Sequence, residues 1–335
     1  MCAHVGQIHE RRRIGRREKA KTQFILSQLI LFQSRKRWGI IYALATVVGL
    51  FCVPNSGLTL TGLEMKNVLV AVTDGILLPV ASFMIITGMY VLNDLVDAEL
   101  DRSSGKKRPI PTGQVSKKEA WIFIIVTNVT GILLVSITFN ILGTLIALII
   151  ASIGLMYSAP KVALKDRFFL KTLSIAIAMM LCVMLGSTAN WHINYLYGNI
   201  NVNKLIMPLH AAAMLAMMVF ITSPFNDVAD VTGDKAAGRR TIPVVIGREN
   251  TVKMAIFLAL SMSIVSWLLY SLHAISMITP ILISLVATMT ITNMTRALKQ
   301  LDDSKFIRKQ HKKSMPLHIM LQSGLIIGAF LFNIL

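Results

Sequence analysis

Long apolar runs alternate with short polar stretches along almost the whole chain. The runs extend over Gly39–Val53, Gly75–Leu92, Trp121–Phe139, Ile141–Tyr157, Thr172–Ala189, Leu205–Phe225, Met254–Leu272, Ile275–Thr292 and Met315–Leu335. An α-helix needs roughly 20 apolar residues to cross the hydrocarbon core, so the pattern predicts nine transmembrane helices. The third and fourth runs are separated by Asn140 alone, which predicts an antiparallel pair joined by a tight turn. Residues 1–37 are polar and basic, with one shorter apolar stretch from Phe24 to Phe32. That arrangement predicts a basic arm ending in an interfacial helix, followed by a single nine-span domain over residues 38–335.

Composition agrees with this all-α, polytopic picture: 54% of the residues are apolar and 15% charged. A soluble domain carries about 25% charged residues, so a soluble enzyme with one apolar anchor is excluded. The net charge of +18 comes from 34 Lys and Arg against 16 Asp and Glu. In a chain whose surface faces lipid, such basicity marks the cytoplasmic side and its anionic headgroups, and no nucleic-acid partner is expected. With the loops laid on alternate sides, every Lys and Arg except Lys66 and Lys204 falls on one side. The positive-inside rule then places the N-terminus in the cytoplasm and the C-terminus outside an integral cell-membrane protein. Cys2, Cys52 and Cys182 have no metal-ligand spacing.

The acids are concentrated where these spans meet the basic side. Asn93-Asp94-Leu95-Val96-Asp97-Ala98-Glu99-Leu100-Asp101 follows span two, and Asn226-Asp227-Val228-Ala229-Asp230-Val231-Thr232-Gly233-Asp234 follows span six. Both have the form N-D-x-x-D-x-x-x-D. On a helix, positions four and eight apart stay within an arc of about 80°. Asn93, Asp97 and Asp101 therefore form one stripe of oxygen ligands, and Asn226, Asp230 and Asp234 a second that Gly233 is placed to fray. Such a cluster repels itself unless a cation binds, and hard oxygen ligands suit Mg²⁺, whose shell substrate phosphate and water complete. Arg102, Lys107, Arg108, Lys161, Lys235, Arg239 and Arg240 lie on the same side, the complement a diphosphate needs.

The two Asp-rich segments, the Arg108-Pro109-Ile110-Pro111-Thr112-Gly113 stretch and the Y-x-x-x-K of Tyr157 and Lys161 together resemble the UbiA superfamily of intramembrane prenyltransferases. The resemblance implies nine helices around a central cavity, two Mg²⁺ ions held by the Asp-rich segments, a prenyl diphosphate donor and an opening toward the bilayer lipids. Carried over by motif position, Asn93, Asp97, Asp101, Asn226, Asp230 and Asp234 are metal-side residues. Asp94 and Asp227 are candidate catalytic residues, left open between contact with the acceptor and contact with an Arg, and Tyr157 and Lys161 are assigned to the diphosphate. At the start of the first span the chain has Arg35-Lys36-Arg37 where the family commonly has an Arg-Pro-x-Asn signature, which leaves open which of Arg35 and Arg37 serves.

The segment from Gly233 to Gly247 is similar to the branch of the superfamily that acts in archaeal ether-lipid synthesis. The expected reaction is transfer of a geranylgeranyl group from its diphosphate to geranylgeranylglyceryl phosphate, with the departing diphosphate or a carboxylate taking the proton. Two alternatives carry different expectations: an aromatic quinone precursor or chlorophyll-type acceptor on the same fold, or a secondary transporter. The transporter reading fits less well, because the acids cluster at span ends rather than at mid-membrane.

Overall fold

The computed structural model describes residues 2–53, 65–103, 105–196 and 205–334, and among them every regular element is helical. The helices are α1 (Cys2–Cys52), α2 (Met65–Val96), α3 (Ala98–Ser103), α4 (Lys117–Ser136), α5 (Ile141–Ser158), α6 (Phe168–Leu196) and α7 (Ile206–Val228). They continue with α8 (Val231–Ala236), α9 (Ile242–Ile246), α10 (Arg248–Ser271), α11 (Ile278–Leu298), α12 (Ser304–His311) and α13 (Ser314–Ile334). Eight helices among the described residues are long and apolar enough to cross a membrane. The remaining expected span is the C-terminal part of α1, where the apolar stretch after Arg37 runs only to Cys52.

Contacts between the long helices close a ring. Each of α1, α2, α4, α5, α6, α7, α10, α11 and α13 packs on the next, and α13 returns to α1. Within a bilayer, tight backbone approach drives helix association more than burial does. The α1–α6 contact uses this device: a Cβ on Gly49 would lie 1.9 Å from the Val183 carbonyl oxygen, and one on Gly186 would lie 1.8 Å from that of Thr46. Only hydrogen at both positions lets the two backbones touch.

Local chemistry accounts for the turns. Phe139 takes a positive φ of 55°, and the next residue, Asn140, caps α5 by accepting from the Gly143 amide at 2.8 Å. The same Asn140 side chain donates to Thr188 Oγ1 on α6 at 2.7 Å, so the tight turn is also pinned to a third helix. Helix α4 opens on a reciprocal cap in which the Ser116 hydroxyl accepts from the Glu119 amide and the Glu119 carboxylate accepts from the Ser116 amide. Gly238 (φ 69°) and Gly247 (φ 88°) end α8 and begin α10, with Pro243 in the first turn of α9 between them.

Candidate active site

The first Asp-rich segment keeps its helical course across the junction of α2 and α3. The Asp97 amide bonds the Asn93 carbonyl at 3.0 Å, and the Asp101 amide bonds that of Asp97 at 2.8 Å. The expected stripe is therefore continuous. The second segment breaks, but not at Gly233, which lies inside α8. The chain tightens instead at Ala229 and Asp230, whose amides bond the carbonyls three residues back, Asn226 at 3.3 Å and Asp227 at 2.9 Å. Helix α8 then restarts, with the Asp234 amide on the Asp230 carbonyl at 2.9 Å.

Each acid of the two stripes has a partner, in most cases a basic one. Arg35 grips Asp94 with two guanidinium nitrogens, one of them Nε at 2.5 Å from Oδ2. Arg108 Nη1 lies between Asp94 Oδ1 at 2.8 Å and Asp101 Oδ2 at 2.6 Å. Lys106 adds a 3.0 Å bridge to Asp101. Lys165 reaches Asp97 at 2.7 Å and Asn93 Oδ1 at 3.4 Å. Lys171 spans both oxygens of Asp227 at 2.7 Å. Arg308, from α12, lies 2.5 Å from Asp230. Asp234 accepts from the Thr241 hydroxyl at 3.2 Å. Asp94, Asp101, Asp227 and Asp234 are buried, and burial of that degree demands such partners.

Arg239 ties the two halves together. It follows the second segment in sequence, yet its guanidinium reaches Asp97 of the first at 3.3 Å and Asp166 at 3.1 Å. The Arg240 amide bonds the Asp166 carbonyl at 3.1 Å, fixing the same loop. Inside the ring, two cavities lie against these segments. One of about 100 Å³ is mainly apolar, with Asn93 in its wall beside Ile86, Met89 and Ile150. The other, of about 230 Å³, presents Lys171, Asn226, Asp227, His311 and His318. Tyr42, Tyr90 and Tyr157 line both cavities, so the two meet at one aromatic cluster, the second carrying the greater share of polar groups.

The cations divide differently from the expectation. Arg108 and Arg239 meet the acids. Arg102 instead donates to the Pro111 carbonyl at 3.0 Å, holding the loop. Lys107, Lys161, Lys235 and Arg240 are exposed, with no side-chain partner among the described residues. Arg35 is the arginine of the first-span start that faces the site, while Arg37 is exposed. Sequence reasoning counted Lys165, Lys171 and Arg308 only toward topology. The Tyr157 spacing pointed to Lys161, whereas Lys165, one helical turn's worth of residues further on, is drawn inward by a 3-10 turn that follows Ala163 at φ 40°.

Oxygen ligands from both segments suit Mg²⁺, which needs only one or two carboxylates when phosphate and water complete its shell. Among the described residues, no three Asp, Glu, His or Cys side chains come together closely enough to enclose an ion unaided. The donor set therefore fits a metal that arrives with an anionic substrate, the resident cations now occupying the carboxylates.

The pattern that defines the UbiA prenyltransferase family matches residues 43–315, and the chain belongs to that family. Among curated proteins it is 31% identical over 183 residues to the digeranylgeranylglyceryl phosphate synthase of Saccharolobus solfataricus, covering 55% of this chain and 60% of that protein. It is 24% identical over 218 residues to the synthase of the same name from Methanothrix thermoacetophila, covering 65% and 76%. The chain thus spans about three fifths of the length of the first of these relatives. A solved structure concerned with digeranylgeranylglyceryl phosphate synthase in membranes superposes with a TM-score of 0.65 at 21% identity, over 92% of this chain and 99% of that one. A UbiA homologue from Archaeoglobus fulgidus bound to GPP and Mg²⁺ superposes with a TM-score of 0.60 at 18% identity, over 92% and 100%. These superpositions establish the all-helical fold, and the eight described helices long and apolar enough to cross a bilayer, with the family match, support an integral membrane protein.

Proposed function

We propose that the protein transfers a geranylgeranyl group from its diphosphate to geranylgeranylglyceryl phosphate, forming an ether lipid. The observation that carries this reading is the convergence of two like Asp-rich segments, joined by Arg239, over cavities that meet at three shared tyrosines. The name shared by the curated relatives supports the acceptor.

Asn93, Asp97, Asp101, Asn226, Asp230 and Asp234 would hold Mg²⁺, in two ions, which when bound neutralises charge on the diphosphate. Arg35, Arg108, Lys165, Lys171 and Arg239 bind the diphosphate oxygens and stabilise the negative charge that develops as the allylic C–O bond breaks. Asp94 and Asp227 act by holding Arg35, Arg108 and Lys171 in place, because their own oxygens are engaged by those cations. The three tyrosines and the mainly apolar smaller cavity keep water from the allylic cation until the acceptor captures it. Exposed Lys107, Lys161, Lys235 and Arg240 draw the anionic substrates to the cytoplasmic mouth and retain the basic loops there.

Purified protein supplied with geranylgeranyl diphosphate and Mg²⁺ is expected to alkylate the glyceryl phosphate in preference to its dephosphorylated form, measured as ether product. Prenylation of hydroxybenzoate with the glyceryl phosphate ignored would overturn the acceptor assignment and leave the class of reaction standing. For the orientation, a cysteine placed at Lys107 or Arg240 is expected to react with an impermeant thiol reagent only from the cytoplasmic side. Labelling from outside would reverse the topology.

A further inference from the structure

The polar cavity contains a group that the reaction described above does not use. His318 lies on α13, 5% exposed, in the same wall as Tyr157, Lys171 and Asp227. Its Nε2 is 3.1 Å from Thr222 Oγ1. The Thr222 hydroxyl gives its own proton to the Met218 carbonyl oxygen, 2.9 Å away, so toward His318 it accepts. Nε2 therefore carries the imidazole proton, and Nδ1 is left as a bare lone pair.

That Nδ1 is buried and has no hydrogen-bond partner. Of the side-chain atoms so stranded among the described residues, it is the one that belongs to a residue of this cavity. A buried acceptor without a donor is costly, so Nδ1 is a ready partner for a hydroxyl that enters the cavity. Gln322, one turn further along α13, donates from its amide nitrogen to the Ile41 carbonyl at 3.0 Å and makes no bond to Nδ1. The carboxylates nearby are committed as well: Lys171 holds both oxygens of Asp227, and Arg35 with Arg108 holds Asp94. Of the two imidazoles in this wall, His311 and His318, it is His318 whose ring nitrogen is buried without a partner.

We propose that His318 is a catalytic base whose Nδ1 takes the proton of the acceptor hydroxyl during prenyl transfer. The inference rests on the reading given under Proposed function. In the step, the bond from prenyl carbon 1 to the diphosphate oxygen breaks and its electron pair leaves with the diphosphate. The acceptor oxygen forms the new C–O ether bond with a lone pair, and its proton moves to Nδ1. The imidazolium returns that proton to water as the product departs.

The test is the partition between two products of the same ionisation. H318Q keeps a donor for Thr222 and removes the Nδ1 lone pair, and H318N keeps an acceptor near the Nδ1 position that is too weak a base to take a proton. Both are expected to cleave the donor with a near-normal KM for geranylgeranyl diphosphate. Ether product should fall by about 100-fold or more relative to prenyl alcohol, the contribution usual for general base catalysis. A merely structural histidine would lower both products together. An ether-to-alcohol ratio within twofold of wild type in whichever variant folds overturns the role of His318 and leaves the proposed reaction intact. Wild-type protein that forms no ether with the glyceryl phosphate overturns both.

Discussion

The two Asp-rich segments share the same order of Asn and Asp, yet the structure treats them unequally. The first follows an unbroken helical path, and its acids are closed in by Arg35, Arg108, Lys106 and Lys165. The second tightens at Ala229, and Asp230 is left 40% exposed, against 14% for its counterpart Asp97, with Arg308 as its salt-bridge partner. Repetition of sequence thus sets which polar side chains are present, while the surrounding cations set how firmly each is held. The first segment is a preorganised electrostatic frame. The second is the more open side, its Asp230 held by one half-exposed arginine.

The largest effect tests whether the halves remain equivalent in chemistry despite this difference. Asp97→Ala and Asp230→Ala are each expected to lower prenyl transfer by about 10³-fold or more, while the protein still elutes as a single folded species in detergent. Near-normal turnover in one of the two would confine the metal to the other segment. Stability should separate the halves instead. Arg35→Met leaves buried Asp94 with Arg108 alone and is expected to cost about 2 kcal/mol, seen as a lower unfolding midpoint. Arg308→Gln removes a half-exposed bridge and should shift stability by less than about 1 kcal/mol. Equal losses would erase the distinction between a closed and an open half.

The smallest effect concerns Gly233, which occupies the place of Leu100 in the first segment. A Cβ there meets nothing within 4 Å, and its φ is not positive. Gly233→Ala is therefore expected to raise the unfolding midpoint slightly, by the equivalent of about 0.5 kcal/mol, with activity unchanged. A loss of activity would mean that the segment needs the glycine's freedom during turnover, as the broken backbone beside it would allow.

Hydrophobic run length predicted the spans because the bilayer imposes one dimension on every crossing helix, and that constraint is local in sequence. The run before Val53 is shorter than the rest, and the structure extends it into a helix that begins at Cys2. The paired Asn and Asp pattern was equally legible, since ligand spacing along a helix needs only the pitch. The partners of those acids were not. Arg308 is 78 residues from Asp230 and Lys165 is 68 from Asp97, so no spacing rule links them. Lys161 and Lys165 are the same residue type in the same loop, and a single positive-φ residue at Ala163 decides which one turns inward. The unpaired nitrogen of His318 had no signal in the sequence either, because it exists only where α7 presents Thr222 and a cavity opens beside α13. Sequence alone determined the long apolar helices and the paired Asn and Asp pattern, both properties of one segment at a time. Which cation guards which acid, and where an uncommitted base remains, depended on helices brought together by ring closure, where the scarcity of water inside makes each pairing obligatory.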